Sequence, residues 1–431
     1  MPSGAARQLA NRTADLAGEE AAQNERGQRV DNQPYGRVFE TLGVSLYEQD
    51  HPYFWPVIGW IEDLNRADLD DLKRFFLRWY GPNNAVLTVG GAVEPMATLE
   101  LVNKYFGPIP SGPEVEDLSP QPGTLEADRY VTMEDNIHLP AIAMLIPTVH
   151  YRHPDEAPLD AAAKILGQGK SSLLYQRLVQ TGRAVSAYVS HSCRELACEM
   201  AFVVIQNPAS GETLAEMEAA VRNTLHEFAE RGVNEDDLQK FIAGFESQQI
   251  FGMQSVAGKV SNLAFSEVFS GDPRLATADI ERYAAVTRED VVRTFRKYIE
   301  DRPAVILSVV PNGNPELAAR PQNFDYRSMA GEGLDEAMIG LLNDPQTSGG
   351  LLVAAPPDRI EALRAIEEAL YQTQNESRQD PLNFPIRLND KLAGVMLSAA
   401  IGDHPPTASA VAVRDELFGR FIEAQRQGRV A

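Results

Sequence analysis

Glu25 stands at the end of a polar helical stretch in "NERGQRVDNQPYGR", just before a turn built around Pro34 and Gly36. A carboxylate can ligate zinc, but a hydrolytic zinc site with an open position for water needs imidazole partners as well. The seven histidines are His51, His138, His150, His153, His191, His226 and His404, and none of them forms a His-x-x-Glu-His motif. "HPDEA" comes nearest: His153 and Glu156 have the right offset, but Ala157 replaces the second histidine. Pro154 marks that stretch as a helix start, so His150 and His153 are expected in a strand-to-helix loop. Alone, Glu25 reads as a solvated helix carboxylate.

Two other groups invite chemistry. "GQGKSS" at 167–172 suggests a phosphate-binding loop, but Lys164 occupies the place of the required glycine and no strand leads into it. Cys193 and Cys198, in "HSCRELACEM", flank a polar break between two strand-like runs. We expect two buried thiols there, with a disulfide across the hairpin as the alternative. A zinc site with His191 would require strand alternation to point all three side chains to one face, and is not expected.

Several elements must position these groups. Residues 12–28 read as a polar helix, and "DLDDLKRFFLRWYGPNN" has apolar residues at helical spacing up to Gly81 and Pro82. "AVLTVGG" at 85–91 is expected as a buried strand, and "EPMATLELVNKYFG" as a helix. After the proline-, glycine- and acid-rich stretch at 113–128, strand signals recur in "RYVTMED", "LPAIAMLIPTV", "AVSAYVSHS", "CEMAFVVIQ" and "AVILSVVP". Helices are expected at 155–166, 171–180 and through "ETLAEMEAAVRNTLHEFAERG", which Gly232 ends. Asn234 and the Thr287/Asp290 pair read as helix caps. The 85–91 strand stands alone in its region and needs neighbours to pair its backbone.

A chain of 431 residues has room for two or three cores. Its net charge of −22 argues against tracking a phosphate backbone, so no nucleic-acid partner is expected. Neither a membrane-spanning run nor a signal-type apolar core is read from it, so no membrane partner is expected and export is not read from the chain as given.

Taken in order, "NERGQRVDNQPYGRVFE", "HPYFWPVIGWIEDL", "WYGPNNAVLTVGG", "KYFGPIPSGP", "HPDEAPLDAAAKILGQGKSSLLYQRLV" and "LSVVPNG" resemble the pitrilysin/insulinase family of zinc metallopeptidases, over about residues 20–325. The resemblance implies an α+β, metallopeptidase-type two-domain α/β sandwich whose first domain is incomplete. Residues 1–112 would be a partial N-terminal domain lacking the zinc-motif helix, 113–128 a linker, and 129–326 a complete second domain. Family members carry His-x-x-Glu-His on one helix and a later glutamate on another. Glu25 matches that later glutamate, as an orphan third zinc ligand, and no catalytic residue carries over. Zinc is implied only if the missing motif is supplied; this chain alone implies no cofactor. Many relatives also face substrate with an Arg and a Tyr of the second domain. Here "GRAVSAY" gives Arg183 and Tyr188, one residue further apart than the family pattern, with Ala187 in the tyrosine place. Such a slip would turn the ring to the opposite face of a strand.

Two later segments resemble other families. "GLDEAMIGLLNDPQTSGGLLVAAPPDRIEALRAI", within 327–370, resembles the C-terminal part of selenophosphate synthetase, and 371–431 resembles the helical tail of sortilin-like, BNR-repeat glycosidase-type proteins. Neither carries its family's active-site residues. The functional expectation is a non-catalytic metallopeptidase homologue, a peptide-binding or partner subunit that pairs with a peptidase subunit or a homologous half. An active zinc metalloendopeptidase whose N-terminal portion is missing from this chain is the alternative, and a mosaic reading frame without selected function the second. Bacterial relatives of this type are often periplasmic.

Overall fold

The computed structural model describes residues 25–326 apart from 61, 62, 64, 65 and 68. The two tail resemblances, at 327–370 and 371–431, lie outside the described residues, as does most of the polar helix expected at 12–28. The chain forms two compact units. The first runs through Trp79, takes in Pro113–Ser247 and resumes at Thr277. The second contains Tyr80–Gly112 and Gln248–Ala276.

Helices α1 (Val38–Leu46), α2 (Leu69–Trp79) and α3 (Pro95–Phe106) precede strands β1 (Arg129–Asp135) and β2 (Ala141–Pro147). Then come α4 (Glu156–Gly167), β3 (Ala184–Cys193), β4 (Cys198–Gln206) and α5 (Leu214–Arg231). Helices α6 (Glu235–Gly252), α7 (Val256–Ser270), α8 (Leu275–Ala284) and α9 (Arg288–Tyr298) lead to β5 (Val305–Pro311). This is an α+β fold, as the strand and helix periodicities imply.

The five strands form one sheet in the order β1-β5-β2-β4-β3. Only β1 and β5 run parallel; the other neighbours are antiparallel. The central strands β2 and β5 are buried at every position but the last, because both faces of the sheet are covered. One face packs Ile142, Met144, Phe202 and Ile306 against Leu159 of α4, Met217 and Phe228 of α5, and Phe295 of α9. There the Phe228 and Phe295 rings meet edge to face with centroids 4.7 Å apart. The other face packs Val131, Met133, Ala143 and Leu307 against Val38, Leu42, Phe54 and Trp55. Thus the segment around α1 roofs the sheet's second face. Each large apolar side chain buried in these layers contributes about 1.5–3 kcal/mol.

Local signals set the helix ends. Thr213 and Glu216 form a capping box at the start of α5, and Gly232 ends that helix at φ 70°. Thr287 and Asp290 form a second box at α9. The Asn234 side chain accepts from the Asp237 N–H at 2.8 Å, so it caps α6.

The strand expected at 85–91 is not formed: the stretch is extended but unpaired among the described residues. Its apolar composition marked a buried segment, but a strand exists only where another strand supplies ladder partners. It packs instead beside α7, within the second unit. A Cβ on Gly90 would fall 2.4 Å from Val260 Cγ1, so the glycine permits that approach.

Candidate functional site

The sheet has one surface that α1 does not roof. Among the described residues strand β3 is an edge, and none of its residues joins the core beneath α1. Tyr188 pairs in register with Val203, which belongs to that core, so its ring stands on the α1-side face beyond the roof. Tyr188 is 37% exposed and Val185 is 51% exposed. Burial pushes the Tyr188 phenol above its ordinary pKa, so it remains a neutral donor at physiological pH. The outer edge of β3 and this open face could take an extended peptide by strand addition.

Strand β3 carries one member of the Arg–Tyr pair, Tyr188. A bulge between Ala184 and Ser186 absorbs one residue against β4. Arg183 itself precedes the strand, so the paired register includes Tyr188 but not Arg183. The Arg183 guanidinium is turned to Glu212 with Nε–Oε1 at 2.7 Å, and it lines a shallow cavity with Glu216, Ala219 and Asn223 of α5. The Arg183 side chain is thus engaged beside α5, while Tyr188 stands on the strand.

Glu25 lies in a helical turn with its side chain 45% exposed, in an i,i+4 ion pair with Arg29 at 3.3 Å. Its neighbour Arg26 is buried and bonds Glu40 at 2.9 Å and the Gly59 carbonyl at 2.6 Å. Among the described residues no histidine joins Glu25 in a metal-ligating group. This donor set does not fit a hydrolytic zinc ion, and no step is assigned to one.

The "HPDEA" groups are structural. The His153 Nδ1 accepts from the Asp155 N–H at 3.0 Å. Glu156 accepts from the Arg152 N–H at 2.8 Å and from Arg282 Nη1 at 2.7 Å. Burial raises the Glu156 pKa against the pull of Arg282. Burial also opposes ionisation of Asp155, but hydrogen bonds from Arg293, Tyr298 and Lys297 outweigh it and lower its pKa. "GQGKSS" is likewise structural: a Cβ on Gly167 would meet Val189 N at 2.2 Å, so the glycine lets the end of α4 lie against β3.

At the far end of β3, Cys193 and Cys198 are joined in a disulfide, which corrects the expectation of two buried thiols. They pair directly across the hairpin with Cα atoms 4.1 Å apart, just below the usual disulfide range of about 4.4–6.8 Å. The objection from alternation to grouping them with His191 also fails. Positions 191 and 193 share a face, and 198 stands opposite 193 on that same face. The three donor groups lie within 4.8 Å of one another. His191 Nδ1 is 2.6 Å from Asp160 Oδ1, and Nε2 is 2.9 Å from the Thr148 hydroxyl.

Next to the hairpin, the Tyr47 hydroxyl and the Arg194 guanidinium both donate to the buried Glu199 carboxylate. Arg194 also stacks 3.6 Å from the Tyr53 ring centroid. Burial raises the Glu199 pKa, opposed by Arg194. The Tyr47–Glu199 and Arg194–Tyr53 contacts had no local sequence signal, because they join the region after α1 to the β3–β4 hairpin across about 140–150 positions.

Known proteins place this geometry in context. Residues 66–245 match the family model described as "Peptidase M16 inactive domain". The comparisons support a pitrilysin/insulinase-like chain. It is 26% identical to the zinc protease PqqE of Helicobacter pylori, a match covering 67% of this chain and 65% of that protein. The chain thus spans just under two thirds of that relative. It is 25% identical, over 48% of each chain, to the non-peptidase homolog YmxG of the same organism. The crystal structure of a protease from H. pylori superposes with a TM-score of 0.61 at 24% identity, covering 69% of this chain and 71% of that one. That likeness shows the metallopeptidase-type fold. The selenophosphate synthetase and sortilin-like resemblances gain no support. No described helix is long and apolar enough to cross a membrane.

Proposed function

We propose that this pitrilysin/insulinase-like chain is a non-catalytic homologue that binds extended peptides as a partner subunit to a peptidase or a homologous half. The observation that carries this reading is Glu25: the one residue matching a family zinc ligand is half-exposed, paired with Arg29, and has no His-x-x-Glu-His motif in the sequence to complete it. The match of 66–245 to an inactive-type domain supports the same reading. The division into a partial domain at 1–112, a connection at 113–128 and a second domain at 129–326 belongs to this proposal. So does a peptide-facing role for Tyr188 on the open face of β3, with Arg183 joining it once released from Glu212. In this reading hydrolytic zinc enters only where a His-x-x-Glu-His motif is supplied to complete the site of Glu25.

Fluorescence anisotropy with labelled unstructured peptides tests the binding role. Saturable binding without loss of peptide is expected, and absence of binding to any member of a diverse peptide set contradicts it.

A further inference from the structure

The hairpin end holds a donor cluster that the peptide-binding role does not use. We propose that reducing the Cys193–Cys198 disulfide opens a site for one thiophilic divalent cation of the zinc type, ligated by Cys193 Sγ, Cys198 Sγ and His191 Nε2. The register already brings the three side chains to one face. Cys193 Sγ lies 3.8 Å from His191 Nδ1 and 3.9 Å from Nε2. With Zn–S near 2.3 Å and Zn–N near 2.0–2.1 Å, tetrahedral geometry separates neighbouring donors by roughly 3.5–3.8 Å. The imidazole therefore needs only a small adjustment, and the main change is the parting of the two sulfurs.

The surroundings suit a metal-bound histidine. Asp160 accepts from Nδ1, which fixes the ring and leaves Nε2 as the ligating nitrogen. Asp160 is itself held by the Tyr283 hydroxyl. When Nε2 turns to the ion, the Thr148 hydroxyl keeps the Cys198 carbonyl, 3.0 Å away, as its acceptor. The His191 side chain is only 1% exposed and Cys198 is fully buried, while Cys193 is half-buried. The site is thus walled on one side and open on the other to water as fourth ligand.

The reaction balances with an external dithiol. The dithiol supplies two electrons and two protons, the Sγ–Sγ bond breaks to give two protein thiols, and the reductant becomes a disulfide. Binding the ion then releases both thiol protons. In the oxidised state the sulfurs cannot act as thiolate ligands, so the site is closed. Oxidising and reducing surroundings would switch it between a covalent staple and a metal clip at the same place in the sheet.

Cobalt(II) titration of the full chain, oxidised or reduced with a phosphine, tests this through the thiolate-to-cobalt absorption. We expect one cobalt per reduced chain, displaced by zinc, with far-UV circular dichroism retained and no such absorption in the oxidised chain. Cys193→Ser and Cys198→Ser should each remove it, and Asp160→Asn should weaken binding by about 10–100-fold. The proposal is overturned by a reduced chain that unfolds or shows no thiolate band, by equal binding in the oxidised chain, or by a band that survives either serine substitution.

Discussion

Glu156 in the first turn of α4 accepts from Arg282 of α8 at 2.7 Å, joining positions 126 apart, with the carboxylate 4% exposed. This pair, with Asp279 bridging Arg152 and Arg282, ties the two helices beside the sheet. Arg282→Ala leaves a buried carboxylate without its cation and should cost about 3–5 kcal/mol in chemical denaturation. The double substitution Glu156→Gln with Arg282→Met should recover a large part of that loss. A single-mutant cost below about 1 kcal/mol would show that water replaces the arginine.

Asp155 sets an acid limb of stability. Its folded pKa lies below the ordinary value of 3.8, so its bonds to Arg293, Lys297 and Tyr298 stabilise the fold above that value. The contribution fades as pH falls through the depressed folded pKa, where the folded carboxylate takes up its proton. Denaturation midpoints between pH 2 and 5 should therefore fall less steeply in Asp155→Asn than in the parent chain. Parallel curves would contradict the assignment.

Gly167→Ala tests the close contact of α4 with β3. The added methyl meets the Val189 backbone nitrogen, which cannot swing aside like a side chain. A loss of about 1–3 kcal/mol is expected from calorimetry or denaturant midpoints. Gly169→Ala would test a different quantity, backbone strain at φ 85° in open space.

Tyr188→Ala should weaken peptide binding several-fold while leaving the denaturation midpoint nearly unchanged, because Tyr188 is already 37% exposed. A fall in stability comparable to that of a core truncation would place the ring in the fold's packing and remove it from the binding surface.

Much of this architecture could be read from periodicity. Strands β3 and β4 fall where the alternating runs on either side of "RELA" placed them, and the capping box at α9 follows from the Thr287/Asp290 spacing. Failures arose where contact partners decide structure. The run at 85–91 has strand composition but no neighbouring strand among the described residues. The segment around α1 gave no sign that it would roof β1, β2 and β5, because that packing joins positions about 90 or more apart. The hairpin placement of Cys193 and Cys198 is legible, but whether they bond depends on an exact cross-strand register that only the β3–β4 pairing supplies. The link between His191 and Asp160 spans strand and helix, and no spacing rule reaches it.

The central claim concerns Glu25, and one assay reaches it directly. The oxidised full chain, supplied with zinc, is incubated with a quenched fluorescent peptide library, beside Glu25→Gln. Keeping the disulfide closed separates this result from metal binding at the hairpin. The account predicts no turnover above the zinc-only background for either protein. Peptide cleavage by the parent chain that Glu25→Gln abolishes would contradict it and make Glu25 a working zinc ligand.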